Sequence, residues 1–155
     1  SVYDEIVVNH ILDSLAPCKI ILELSKGFDS ADFKIADIGS GGGLPGIPLA
    51  IVFPEFNFTL VERMDKRCAF LENCAAICGL KNVSVMKKEA EKEITGHTYV
   101  VVSKNRTDEV RSALHLLSGA QNQVLWVIPY LPGEEVPSEQ NRAYTAIGWE
   151  VKAWK

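Results

Sequence analysis

Apolar positions along the chain fall into two patterns: short runs of strand length, and longer segments with an apolar residue every three or four positions. The first segment, "YDEIVVNHILDSLAPCKIILEL" (Tyr3–Leu24), carries Ile6, Ile11, Leu15 and Leu22 at helical spacing, and Pro17 predicts a break into two short helices. Ser14 is the expected cap of the second helix, with Pro17 in its first turn. After the turn-rich "SKGFDSADF", "KIADIG" is expected as a buried strand, and Pro45 to Phe53 as a helix. "FNFTLVE" predicts a second strand ending at Glu62, and Asp65 the cap of a helix from Lys66 to Cys78 that stops at Gly79. "NVSVM", "TYVVVS" and "NQVLWVIPY" predict three more strands, separated by helices at Glu89–Ile94 and from Thr107 or Asp108 to Leu117. "SEQNRAYTAIG" is expected as a last helix and "WEVKAW" as a last strand, which makes six strands. Strands alternating with helices imply right-handed crossovers, hence an α/β fold with a doubly wound, mainly parallel sheet and helices on both faces. One domain is expected over residues 1–155, with an amino-terminal helical segment at 1–30 and the α/β core at 34–155.

Composition narrows the class without changing this picture. Of 155 residues, 47% are hydrophobic and 23% charged, an ordinary globular balance. No apolar run is long enough to span a bilayer, and no leader-like stretch opens the chain, so no membrane association is expected. The chain opens on Ser1 rather than methionine, which fits a further segment ahead of it. Cys18, Cys68, Cys74 and Cys78 include no C-x-x-C pair; free thiols, no metal site and a reducing cytoplasm are expected. Cys74 and Cys78 share a helix face at i and i+4, where they would pack as small hydrophobes. The net charge of −4 argues against indiscriminate nucleic-acid binding by the whole surface. Residues 1–33 account for that balance, and basic groups cluster at Lys66–Arg67, Lys87–Lys88 and Lys104 to Arg111. Such clusters matter for function only where they ring a pocket.

The chemistry concentrates in "DIGSGGGLPGIPLA", Asp37 to Ala50. Bare backbone between a strand and a helix lets N–H groups approach a ligand closely, and the helix start adds unpaired donors. The tight-turn alternative needs fewer glycines than this stretch has. No Gly-Lys-Ser/Thr follows the loop, so a nucleoside triphosphate is disfavoured. One register, Gly41-x-Gly43-x-x-Gly46, reads as a dinucleotide fingerprint, but it starts two residues late after the strand. The other places Asp37 at the strand end, followed by Gly39, Gly41 and Gly43, the loop used by S-adenosylmethionine-dependent methyltransferases. There Asp37 would orient the loop or meet the ammonium through water, backbone donors would meet the carboxylate, and Gly46 would serve helix packing. Glu62, one crossover later at the end of the second strand, is placed to accept hydrogen bonds from both ribose hydroxyls. Taken alone it would equally suit a solvated strand end.

"NHILDSL" (Asn9–Leu15), "DIGSGGGLPGIPLAIVFPE" (Asp37–Glu55), "TLVERMDKRCAFLE" (Thr59–Glu72) and "GLKNVSV" (Gly79–Val85) occur in this order and resemble one family. It is methyltransferase G of the bacterial small ribosomal subunit, also called glucose-inhibited division protein B. The resemblance covers most of residues 1–105, and "GLPGIPLA" and "HILDSL" are specific to it. It implies a Rossmann-like class I methyltransferase fold of seven strands with an antiparallel last hairpin, shortened here at both ends. It implies S-adenosyl-L-methionine as cofactor and N7 of a guanine in 16S ribosomal RNA as target, hence the small ribosomal subunit as partner of a cytoplasmic monomer. Cofactor contacts carry over to Gly39 and Leu44, and to Ala90 and Glu91 in "KKEAEKE". Where the family has arginine after the fourth strand, this chain has Lys104, which keeps the charge and loses the bidentate fork; Arg106 stands two residues on. Lys104, Arg106 and Arg111 would border the groove and meet RNA phosphates. "SKNR" stands where a "DPPY"-like tetrapeptide serves amino-group methylation, which disfavours that chemistry. The rival expectations are a methyltransferase for another substrate and a catalytically silent RNA- or cofactor-binding module.

Overall fold

The computed structural model describes residues 1–26, 29–30 and 33–87, and the backbone strands at 98–102, 124–129, 144–146 and 149–154. The chain opens with α1 (Val2–Ile6), a π-helical stretch at Val7–Leu12, and α2 (Asp13–Leu15), followed by α3 (Cys18–Ser25). Pro17 breaks the helix as expected, but it holds the cap position of α3 itself. Ser14 does not cap α3: its buried hydroxyl donates to the carbonyl of His10, one turn back in its own helix. The expected apolar stripe is also corrected. Ile6, Ile11 and Leu22 are exposed, Leu15 packs half-buried against the core, and Ser14, Pro17 and Ile21 are the buried positions among the described residues. The i→i+5 bonding of the π stretch and the break at Pro17 shift the helical phase, so one 3.6-residue period cannot run through both helices.

The remaining described elements are β1 (Phe33–Ile38), α4 (Gly46–Val52), β2 (Asn57–Glu62), α5 (Asp65–Ile77), β3 (Val83–Lys87), β4 (Thr98–Val102), β5 (Val124–Pro129), β6 (Tyr144–Ala146) and β7 (Trp149–Trp154). The strands form one seven-stranded sheet in the order β3-β2-β1-β4-β5-β7-β6. Pairings among β1 to β5 are parallel, and β7 runs antiparallel to both β5 and β6. The order in which successive strands are added reverses between β1 and β4, which opens a crevice at their carboxyl ends. The expected helix over "SEQNRAYTAIG" is thus wrong at Tyr144–Ala146, which form β6, and the sheet has seven strands rather than six. β-prone Tyr144 and Thr145 follow a polar, helix-like run, and pairing with β7 decides their state. The expected helices at Glu89–Ile94 and up to Leu117 lie outside the described residues.

The crossovers β1-α4-β2 and β2-α5-β3 step in one direction along the sheet, so α4 and α5 cover the same face. Ile21, Phe33, Ile35, Leu49, Ala50, Phe53, Phe56 and Phe58 form the core beneath them. Phe33 meets Phe56 edge-on with centroids 4.9 Å apart. The Asn82 side-chain amide donates to the carbonyls of Ala50 (3.0 Å), Phe53 (3.0 Å) and Phe56 (3.1 Å), tying the end of α4 to the start of β2. α5 ends, as expected, at Gly79, in the left-handed region at φ 66°. Its start differs: Met64 holds the cap position, and Asp65 lies in the first turn, paired with Lys87 of β3.

Candidate functional site

β1 carries its alternating side chains into two buried faces, so Asp37 reaches the end of the strand inside the protein, 1% exposed. A carboxylate there survives only with donors around it. Its Oδ2 accepts from the Gly46 N–H at 3.0 Å, the first residue of α4. Asp37 therefore fixes where the loop ends, the orienting role expected of it. Between these anchors the chain turns on Gly39, Gly41 and Gly43, with φ of 74°, 54° and 85°. At Gly43 crowding adds to the backbone demand: a Cβ there would lie 2.8 Å from Ile47 Cγ1. Gly39 and Ser40 donate to the Val61 carbonyl at 2.9 and 3.1 Å, which lays the loop over the end of β2. The buried Ser40 hydroxyl donates to the Asp37 carbonyl at 2.8 Å. Nothing lies within 4 Å of a Cβ built on Gly42, so this side of the loop borders open space.

Glu62 ends β2 and is 5% exposed. Its Oε1 accepts from the Arg63 and Met64 N–H groups at 2.9 and 3.2 Å, and its Oε2 from the Gly41 N–H at 3.1 Å. Arg67 Nη1 stands 3.8 Å from Oε2. A carboxylate has about four acceptor sites. Oε1 is filled by two donors, and Oε2 keeps room for one ribose hydroxyl while the Gly41 bond stands. Cys68, one turn into α5, donates its Sγ–H to the Glu62 carbonyl at 3.4 Å. Burial first, and then the Glu62 and Asp65 carboxylates, push the Cys68 thiol up, with Lys87 opposing. It stays a neutral thiol at the foot of the site.

Of the residues singled out from sequence, Asp37, Gly39, Gly41 and Glu62 meet at the adjacent carboxyl ends of β1 and β2. Leu44 takes a different wall. With Gly42, Gly43, Ile47, Ile51, Cys74, Ile77 and Cys78 it lines an apolar cavity of about 350 Å³ beside α4 and α5. Ala90, Glu91, Lys104, Arg106 and Arg111 lie outside the described residues. Sequence reasoning missed Ser40, whose only signal is a hydroxyl among glycines, and the Arg63 and Met64 amides, which no side-chain pattern reports. Replacing Asp37 by asparagine, which keeps the shape and removes the charge, is expected to cost about 1 to 2 kcal/mol. A lowered urea midpoint checks this, and an unchanged one would show that the carboxylate does not hold α4.

The chain is similar to known proteins. A family model described as rRNA small subunit methyltransferase G matches residues 2–143. The chain belongs to this family. A ribosomal RNA small subunit methyltransferase G of Ralstonia nicotianae is 39% identical over 118 residues, covering 74% of this chain and 53% of that protein. One of Sorangium cellulosum is 49% identical over 87 residues, covering 56% of this chain and 34% of its own length. The chain thus spans about half the length, or less, of these relatives. The fold matches solved methyltransferases at low identity. Precorrin-6y C5,15-methyltransferase of Geobacter metallireducens superposes with a TM-score of 0.57 at 15% identity, covering 88% of this chain and 86% of that one. A SAM-dependent methyltransferase of Aquifex aeolicus gives 0.55 at 15% identity, with 86% and 88% covered. The family's fold is therefore the Rossmann-like class I methyltransferase sheet, and β6 and β7 supply its antiparallel end. Among the described residues, no helix is long and apolar enough to cross a membrane.

Proposed function

We propose that this chain binds S-adenosyl-L-methionine at the loop after β1 and directs its methyl group to N7 of a guanine in 16S ribosomal RNA. The observation that carries the reading is the 3.1 Å bond from the Gly41 N–H to Glu62 Oε2, which joins the bare loop to the buried carboxylate at the end of β2. The residues fit the cofactor: the loop turns on three left-handed glycines and borders open space at Gly42, and a buried carboxylate keeps acceptor capacity beside it. When bound, S-adenosylmethionine supplies an electrophilic methyl on a sulfonium. Gly39 and Gly41 offer backbone at close range, and Glu62 accepts from the ribose. Asp37, already bonded to Gly46, holds the loop in shape. Guanine N7 has its own lone pair, so no residue need remove a proton, and the protein's task is to hold two groups in line. By family resemblance, Leu44, Ala90, Glu91 and Lys104 complete the cofactor contacts, and Lys104, Arg106 and Arg111 meet RNA.

The small ribosomal subunit is then the partner, and the cytoplasm the place. A single domain acting as a monomer fits the sheet's ends: β7 and β6 cover β5, and an outer strand of three residues offers little edge to a second copy. Incubation of the protein with tritiated cofactor and small subunits from cells lacking it is expected to label 16S RNA as N7-methylguanosine. Label in another component of a cell extract, and none in the RNA, would point to a different substrate. Absence of heat with S-adenosylhomocysteine in calorimetry would point to a silent module.

A further inference from the structure

Two of the basic clusters in the sequence, Lys66–Arg67 and Lys87–Lys88, are separated by about a helix and a strand. The fold brings Lys66, Arg67 and Lys87 to one place. Glu62 and Lys87 are register partners at the carboxyl ends of β2 and β3, and Lys66 and Arg67 open α5 immediately beyond. Arg63 is exposed at the same strand end. Four cations therefore gather beside Glu62 at the ends of β2 and β3, with two carboxylates among them. Those carboxylates offset two of the four cations and leave the cluster net positive: Glu62, buried against three backbone N–H groups, stands 3.8 Å from Arg67 Nη1, and Asp65 is paired with Lys87. The cations face outward. Arg67 is 56% exposed and Lys87 47%, and Lys66 is exposed and forms no ion pair among the described residues.

We propose that Lys66, Arg67 and Lys87 form a phosphate-contacting rim on the β2–β3 side of the cofactor pocket, along which the RNA backbone runs. The inference rests on the proposed rRNA activity and adds a surface to it beyond Lys104, Arg106 and Arg111, the basic residues that follow β4 in the sequence. Charge complementarity selects the occupant. In a chain of net charge −4, a locally positive rim at the cofactor pocket suits a polyanion, and a strand delivering a base to that pocket must carry its phosphates past the rim. Each cation that neutralises a phosphate releases a counterion, so the rim has a signature in the salt dependence of binding.

The test measures binding of the whole chain to isolated small ribosomal subunits over a range of salt. Lys66→Ala is expected to weaken binding roughly threefold to tenfold and to reduce the logarithmic salt slope by about 1. Lys66→Arg should restore both, and S-adenosylhomocysteine should bind all three proteins equally in calorimetry. An unchanged slope in Lys66→Ala, or absence of subunit binding by the unaltered chain, overturns the rim. Displacement by polyglutamate as effective as displacement by RNA overturns the assignment to RNA. The outcomes separate the rim from the activity. Methylation by the unaltered chain with an insensitive slope removes the rim alone, and a Lys66-dependent slope without methyl transfer removes the activity alone.

Discussion

Gly46→Ala is expected to destabilise the protein by about 2 kcal/mol or more, lowering its melting temperature by several degrees. A Cβ at this position would lie 2.3 Å from Leu60 Cδ2, 2.7 Å from Asp37 Oδ2 and 3.1 Å from Asp37 Cβ. Neither neighbour has room to give. Leu60 is fully buried on the adjacent strand, and Asp37 is held by the Gly46 N–H itself. Helix propensity pulls the other way by at most about 1 kcal/mol, and overpacking of this severity exceeds it. To relieve the contact, α4 must lift from β1 and β2, taking the end of the glycine loop with it. Loss of stability and loss of cofactor binding should therefore appear together. Gly42→Ala is the control, because its Cβ meets nothing within 4 Å. Equal losses of stability in the two variants, by circular dichroism melting, would refute the packing account.

The second large effect is expected at Glu62. Glu62→Ala removes the acceptor of the Gly41, Arg63 and Met64 N–H groups and the ribose contact in one step. Hydrogen bonds to a charged group are worth about 1.5 to 3 kcal/mol each, so S-adenosylhomocysteine affinity should fall by roughly a hundredfold. The loop also loses its tie to β2, which adds a smaller loss of stability. Glu62→Gln keeps one oxygen acceptor and offers an N–H₂ where a backbone N–H already points, so it should fall between the two. The order unaltered, Gln, Ala in calorimetry supports the assignment. Alanine binding cofactor as well as the unaltered chain would remove Glu62 from the site.

The glycine loop was legible because its demands are covalent and local. Left-handed backbone at Gly39, Gly41 and Gly43 and a forbidden Cβ at Gly46 leave a mark in residue identity itself. The central strands were legible for a related reason: β1 and β2 are buried on both faces and read as apolar runs. Where the structure differed, longer-range effects decided. β6 exists because β7 pairs with it, and three residues hold too little pattern to announce a strand. The amino-terminal stripe failed because a π-helical stretch changes the phase, and no single residue marks it. The Glu62 network was half legible. The acid was visible and its position at the strand end followed from the pattern, but its partners are backbone amides, common to every sequence. The basic clusters flanking α5 show the same limit: each was visible, and only the register of β2 with β3 brings them together.

The order β5-β7-β6 also has a consequence for how the protein is made. β6 leaves the ribosome before β7, yet in the sheet it pairs only with β7. Residues Tyr144–Ala146 thus have no strand to join until Trp149–Trp154 have been synthesised and have cleared the exit tunnel. During that interval β5 presents an open edge, and a nascent chain stalled before Trp149 would expose it throughout. Completion of the sheet thereby waits on the synthesis of Trp149–Trp154: its outermost strand is added only after the strand inside it.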